Sequence, residues 1–178
     1  GAVYIDSWDN YLYALDARTG TEKWKFRTGY GVSSPTISDG VLYDAGQDEL
    51  FLAYLFAIDP RSGAEIWRCQ ISYTESIPVV SDEMIYLGSS GAGALHAVDT
   101  SGLEVWRFQT DGEVTSSPAL TNGVVYFGSW DTYVYAVDAQ TGQEVWRFQT
   151  GDEVHSSPVV SDGVIYIGSN DGYLYALR

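Results

Sequence analysis

The chain has 178 residues, enough for one substantial domain that hides roughly 70% of its unfolded surface without staples. Its 24 Asp and Glu outnumber 9 Lys and Arg, and the formal net charge of −15 repels phosphate backbones and argues against nucleic-acid binding. A single cysteine, Cys69, excludes an intrachain disulfide and a multi-thiolate metal site, and no apolar run is long enough to insert into a membrane as a helix.

The acidity has two readings: a solvated surface of the kind suited to high salt, or an acidic face for a basic partner or a cation. The first segments, AVYIDS and YLYALD, are short, rich in Val, Ile, Leu and Tyr, and joined by SWDN, which reads as a hairpin. The turn DARTG then leads to a further strand, EKWKFRT. From Ser33 a new unit opens with SSPTISDGVLY, a Pro-apolar strand turned by Asp-Gly into a second strand. That block recurs as SIPVVSDEMIY from Ser76, SSPALTNGVVY from Ser116 and SSPVVSDGVIY from Ser156.

Between these lies a second recurring block: ALDARTGTEKW from Ala14, AIDPRSGAEIW from Ala57, AVDTSGLEVW from Ala97 and AVDAQTGQEVW from Ala136. Its tryptophans, Trp24, Trp67, Trp106 and Trp146, stand 43, 39 and 40 positions apart. No window carries a helical period. Four short strands per unit of about 40 residues predict an all-β fold, a β-propeller of four-stranded antiparallel blades. Counted along the chain there are eighteen strands, forming three complete blades and two partial ones. The expected organisation is a single domain or fragment over 1–178, with repeats at about 1–40, 41–83, 84–123, 124–163 and 164–178. The partial blades allow two expectations, a slice of a larger propeller or a ring completed by a second copy, since open strand edges favour self-association.

The pattern Ala-x-Asp-x-x-Thr-Gly-x-x-x-Trp, followed by an apolar strand and Ser-Ser-Pro, resembles the PQQ-like β-propeller repeat of quinoprotein and BamB-type proteins, and the resemblance covers essentially the whole chain. It implies that each motif is a turn and clasp between blades: Asp16, Gly20 and Trp24; Asp59, Gly63 and Trp67; Asp99, Gly102 and Trp106; Asp138, Gly142 and Trp146. In each, Asp caps backbone amides, Gly takes the positive φ, and a buried Trp ring docks on the neighbouring blade's turn. The resemblance also implies a location in the cell envelope or outside the cytoplasm. The resembling dehydrogenases are several times longer, hold calcium beside the quinone and often carry an adjacent-cysteine disulfide over it. None of these has a counterpart here, so neither cofactor nor metal is expected.

One end of the propeller repeats nearly unchanged, and the other diverges. The divergent hairpins read SWDN, GQDELFLA, SSGAGA, SWDT and SNDG, with links TGYGV, SYTES, TDGEV and TGDEVH. Loops freed from the scaffold's demands commonly carry binding, so Trp8, Tyr30, Tyr73, Trp130 and His155 form the candidate binding face. Nearby acids are Asp9, Glu75, Asp111, Glu113, Asp131, Asp152 and Glu153. The run ELFLAYLF (49–56) is either an apolar protrusion or the packing of a longer strand.

Catalytic chemistry has little support. Of the two histidines, His96 takes the place of Tyr13, Phe56, Tyr135 and Tyr175 and reads as packing, while His155 adjoins a Ser-Ser-Pro that recurs without histidine. Cys69 replaces Phe26, Phe108 and Phe148 and reads as a buried apolar thiol. The expectation is a non-catalytic scaffold for a protein partner or for self-association, with no nucleic acid and no membrane insertion. The alternatives are a sugar- or small-ligand-binding propeller and a fragment of a PQQ-dependent oxidoreductase.

Overall fold

A computed structural model describes residues 1–30 and 33–178, and in them every regular element is a strand. Strands β1 (Ala2–Ser7), β2 (Tyr11–Asp16) and β3 (Glu22–Arg27) form the first sheet. The second holds β4 (Thr36–Ser38), β5 (Val41–Gln47), β6 (Ala53–Ile58) and β7 (Glu65–Ile71). The third holds β8 (Val79–Ser81), β9 (Met84–Ser89), β10 (Ala94–Asp99) and β11 (Glu104–Gln109). The fourth holds β12 (Ala119–Thr121), β13 (Val124–Gly128), β14 (Tyr133–Asp138) and β15 (Glu144–Gln149). The last is β16 (Val159–Ser161), β17 (Val164–Gly168) and β18 (Leu174–Leu177). These are three four-stranded antiparallel blades and two partial ones, the architecture the repeat predicts.

The short hairpins between the first two strands of a blade turn on two residues of positive φ, as tight antiparallel connections require. Asp39, Asn122 and Asp162 sit at φ 48°, 51° and 51°, each followed by Gly. The second complete blade departs, with Glu83 at φ 64° where its equivalents are glycine.

The recurring Ala of the long motif has a structural reason. A bulge follows it in all four blades that contain an outer strand, and the register places Ala14, Ala57, Ala97 and Ala136 directly opposite Trp24, Trp67, Trp106 and Trp146. These alanines are fully buried. The Asp of three of the turns accepts the amides two and three residues on, as when Asp138 takes Gln140 N and Thr141 N and Asp16 takes Arg18 N and Thr19 N; in the shorter turn Asp99 takes Ser101 N and Leu103 N. The bonds from Arg18 and Thr19 draw the Asp16 carboxyl down to about 2.

Three of the four indoles then reach the next sheet. Trp24 donates to the Pro60 carbonyl at 3.1 Å, Trp67 to Thr100 at 2.9 Å and Trp106 to Ala139 at 3.1 Å. The rings lie so close over the following glycines that a Cβ would meet the ring at 2.7 Å on Gly63, 3.0 Å on Gly102 and 2.7 Å on Gly142. The rings are half-buried rather than buried, because each lies across a turn at the blade rim. Gly20 carries no ring, and nothing lies within 4 Å of a Cβ placed there. Trp146 packs on Tyr126, with ring centroids 5.8 Å apart, as Trp24, Trp67 and Trp106 pack on Tyr4, Tyr43 and Tyr86.

The core consists of four clusters, each spanning two consecutive sheets. One joins the second and third sheets through Leu55, Ala57, Ile85, Leu87 and Val98, and another joins the third and fourth through Leu95, Val114, Val125, Phe127 and Tyr135. The other two join the first to the second and the fourth to the fifth. Cys69 corrects its expected burial: the thiol is only half-buried, on the outer strand β7, where partial burial and the charges of Glu104 and Asp99 push its pKa up.

Gly20 and Gly142 adopt the same turn at φ 72° and 70° and differ in the docked ring. Gly20→Ala is expected to cost about 1 kcal/mol for the left-handed backbone, and Gly142→Ala about 3 kcal/mol because the ring must also move. Urea unfolding of the two variants measures the difference. In the same assay Glu83→Gly should stabilise by about 1 kcal/mol.

Candidate functional site

The loops at the variable end are tied down by carboxylates spaced four residues before a tyrosine. Asp9 accepts from Tyr11 N at 3.3 Å and from the Tyr13 hydroxyl at 2.5 Å. Asp131 accepts from Tyr133 N, from the Tyr135 hydroxyl at 2.7 Å and from Asp111 N of the neighbouring link. Asp171 repeats the arrangement with Tyr173 N, the Tyr175 hydroxyl and Gly151 N. The bond to Tyr13 lowers the Asp9 carboxyl, and the same bond raises the Tyr13 phenol to about 12. The acids of this end are therefore partly spent on holding hairpins and links together.

The serines are spent in the same way. Ser116 and Ser156 each bond both the amide and the carbonyl of the facing glycine, Gly128 and Gly168, at 2.8–2.9 Å. The second serine of each pair links neighbouring blades: Ile77 N donates to Ser117 Oγ and Ser117 N to Ser157 Oγ, both at 2.9 Å. His155 bonds Glu153 at 2.8 Å, so no serine–histidine pair forms there. His96 is fully buried between Glu104 (2.6 Å) and Ser89 (3.1 Å), and burial holds its pKa down, so it fills the tyrosine position as a neutral, hydrogen-bonded ring.

Of the five candidate aromatic positions, Trp130 and His155 are brought together. Their rings stack at 4.3 Å with 16° between planes, and the Trp130 indole donates to Thr115 Oγ1 at 3.0 Å. Tyr73 donates its hydroxyl to Glu75 and lends its carbonyl to Ser90 N. Trp8 is 82% exposed and Tyr30 54%. Among the described residues Tyr30 is anchored through its backbone, in a two-way bridge with Gln47.

The run from Glu49 to Phe56 divides into both of its expected roles. Leu50 and Phe51 stand at the hairpin tip with 77% and 74% of their surface exposed, while Ala53–Ile58 is the mostly buried strand β6. Asp48 holds the tip by accepting Leu50 N and Leu52 N at 2.9 Å. Beside the tip opens a cleft of 340 Å³ lined by Arg27, Thr28, Tyr30, Asp48, Glu49 and Phe56. An Arg27–Glu49 ion pair bridges its rim. Among the described residues no group of three or more His, Cys, Asp or Glu is placed to hold a metal ion, and no helix is long and apolar enough to cross a membrane.

The Asp-to-tyrosine ties went unnoticed in the sequence, although the spacing SWDNYLY, SWDTYVY and SNDGYLY displays them. Asp131→Ala removes three hydrogen bonds and is expected to destabilise by about 2 kcal/mol. Asp152→Ala, whose carboxylate bonds only Glu153 N, should stay within about 0.5 kcal/mol of wild type, both read by urea unfolding.

Comparison with known proteins places this geometry. A 44-residue segment, 23% of this chain, is 46% identical to the quinoprotein ethanol dehydrogenase of Pseudomonas aeruginosa and to the quinoprotein alcohol dehydrogenase PedE of Pseudomonas putida. The match spans 7% of each relative's length. Among solved structures, BamB from Moraxella catarrhalis superposes with a TM-score of 0.82 at 22% identity, over 98% of this chain and 54% of that one. The quinohemoprotein alcohol dehydrogenase ADHIIG of Pseudomonas putida HK5 gives 0.78 at 20% identity, over 99% of this chain and 38% of that one. The chain thus spans about half or less of these relatives, which share its blade architecture. Residues 53–178, most of the length, match the family described as outer membrane protein assembly factor BamB, and the chain belongs to that family.

Proposed function

We propose that this chain is a non-catalytic propeller scaffold that receives a protein partner on its variable loop end, outside the cytoplasm. The observation that carries the reading is the exposed apolar tip Leu50–Phe51, hydrogen-bonded by Asp48 next to a cleft and the exposed Tyr30. Exposed apolar side chains on a fixed loop are a cost to an isolated domain and an anchor for a partner. The serines, the two histidines and several acids nearby are engaged in bonds that support the scaffold, which leaves little for acid–base or nucleophilic chemistry.

The partner surface has a second component in the end faces of the terminal sheets. Val3 and Ile5 on β1 are 51% and 52% exposed, and Val159 on β16 and Leu174 on β18 are 63% and 74% exposed. Apolar strands of this kind favour covering by further sheet, either further blades of a larger propeller or a second copy.

A quinoprotein reading has one specific observation in its favour, the 46% identity of a 44-residue segment to alcohol dehydrogenases. It is tested by titrating the chain with pyrroloquinoline quinone and calcium and by a dye-linked alcohol oxidation assay. No quinone binding and no turnover are expected.

For the scaffold, immobilised wild type and Leu50→Ser/Phe51→Ser are exposed to cell-envelope extract, with circular dichroism to confirm that both are folded. A polypeptide retained by wild type and lost from the variant is the expected outcome. Equal retention, or none by either, would overturn the reading. Light scattering coupled to size exclusion should give a concentration-dependent dimer that Val159→Lys disperses.

A further inference from the structure

Two carboxylates stand where the repeat places no acid. Aligned on Tyr4, Tyr43, Tyr86, Tyr126 and Tyr166, the next position holds Ile5, Asp44, Leu87, Phe127 and Ile167, and the one after it holds Asp6, Ala45, Gly88, Gly128 and Gly168. Leu87, Phe127 and Ile167 are core side chains, and Asp44 is equally buried, with 0% of its surface exposed. Neither Asp44 oxygen has a hydrogen-bond partner among the described residues, and Asp6 Oδ2 is also without one. Asp6 Oδ1 accepts from Ser7 N at 3.0 Å and from the Thr28 hydroxyl at 3.3 Å.

Thr28 brings the two acids to one place. Asp44 and Gly46 share a face of β5, because alternate residues of a strand point the same way. A Cβ on Gly46 would lie 2.4 Å from the Thr28 carbonyl oxygen, so that face is pressed against Thr28, whose hydroxyl holds Asp6. Burial raises both carboxyls, Asp6 to about 6, and the Asp6 charge raises Asp44 further. Thr28 also lines the 340 Å³ cleft beside the tip.

A buried carboxylate is costly unless it is neutralised and its oxygens are satisfied. A proton neutralises one group and satisfies one oxygen. A doubly charged cation balances both groups and engages all three free oxygens at once. The donor set is oxygen only, two carboxylates with a hydroxyl and a carbonyl close by, which suits hard cations and not the nitrogen- and sulfur-seeking metals. We propose that Asp6 and Asp44, with the oxygens of Thr28, form a binding site for a hard divalent cation, of the Ca²⁺ type, between the first and second sheets. The ion would tie β1 to β5, and so fix the sheet that carries the Leu50–Phe51 tip.

The test uses chelator-stripped chain at near-neutral pH, titrated with calcium chloride, magnesium chloride or sodium chloride matched in ionic strength. Equilibrium dialysis with radiolabelled calcium should find one tightly held ion per wild-type chain and none on Asp44→Leu, which carries the residue type of Leu87 and is expected to fold. Calcium should raise the thermal midpoint of wild type by several degrees, leave Asp44→Leu unmoved and shift Asp6→Asn much less. An equal midpoint rise in wild type and Asp44→Leu would be charge screening of the acidic surface and would overturn the proposal. So would the absence of bound calcium with stability that grows as pH falls from about 6 to about 4, lost in Asp44→Leu. A carboxyl whose folded pKa is raised stabilises below its unfolded value and ceases to do so as pH rises through the folded one, so that outcome would assign the pair a proton.

Discussion

An indole N–H donated across the gap between sheets, over a glycine with no side chain, ties the first sheet to the second, the second to the third and the third to the fourth. The bulge after Ala14, Ala57, Ala97 and Ala136 sets the register that puts tryptophan opposite alanine. The Asp cap fixes the shape of the turn that receives the ring, and the positive φ of Gly63, Gly102 and Gly142 opens the space beneath it. Tyrosines on the second strand of a blade reinforce the same acceptors, as when Tyr4 and Trp24 both donate to Pro60 and Tyr86 and Trp106 both donate to Ala139.

The blade architecture is readable in the sequence because the motif behind this interaction is written four times. Repetition at a period of about 40 separates scaffold from ornament, and strand boundaries coincide with Asp-Gly, Asn-Gly and Thr-Gly punctuation. The site was less readable, for a physical reason. Position on a divergent loop says that a residue is free of the repeat, but not whether its side chain is spent on a local bond. Trp130 proved to be tied to Thr115 and His155, whereas Trp8, its counterpart in the first sheet, stands open. Leu50 and Phe51 could not be told from the buried Leu55 and Phe56 by composition, since only the turn at Asp48 decides which half of the run leaves the sheet.

Charge in this protein is less freely distributed than the net value of −15 suggests. Asp16, Asp59, Asp99 and Asp138 are held below the usual carboxylate range by turn amides and hydroxyls, while Asp6 and Asp44 are held above it by burial. Acids serve as turn caps at the constant end and as hairpin ties at the variable end. The pair between the first two sheets belongs to neither use, which is why it stands out from the rest.

The core clusters each join only two consecutive sheets, and the docked tryptophan and the turn beneath it come from adjacent repeats. Stability is then a sum of nearest-neighbour terms, as in other stacked repeats. Because each ring meets nearly the same turn, blades are interchangeable parts: a unit duplicated, deleted or exchanged meets a compatible neighbour on either side. A fold connected in this way can change its number of blades, or rewrite the loops at its variable end, without redesigning its interior.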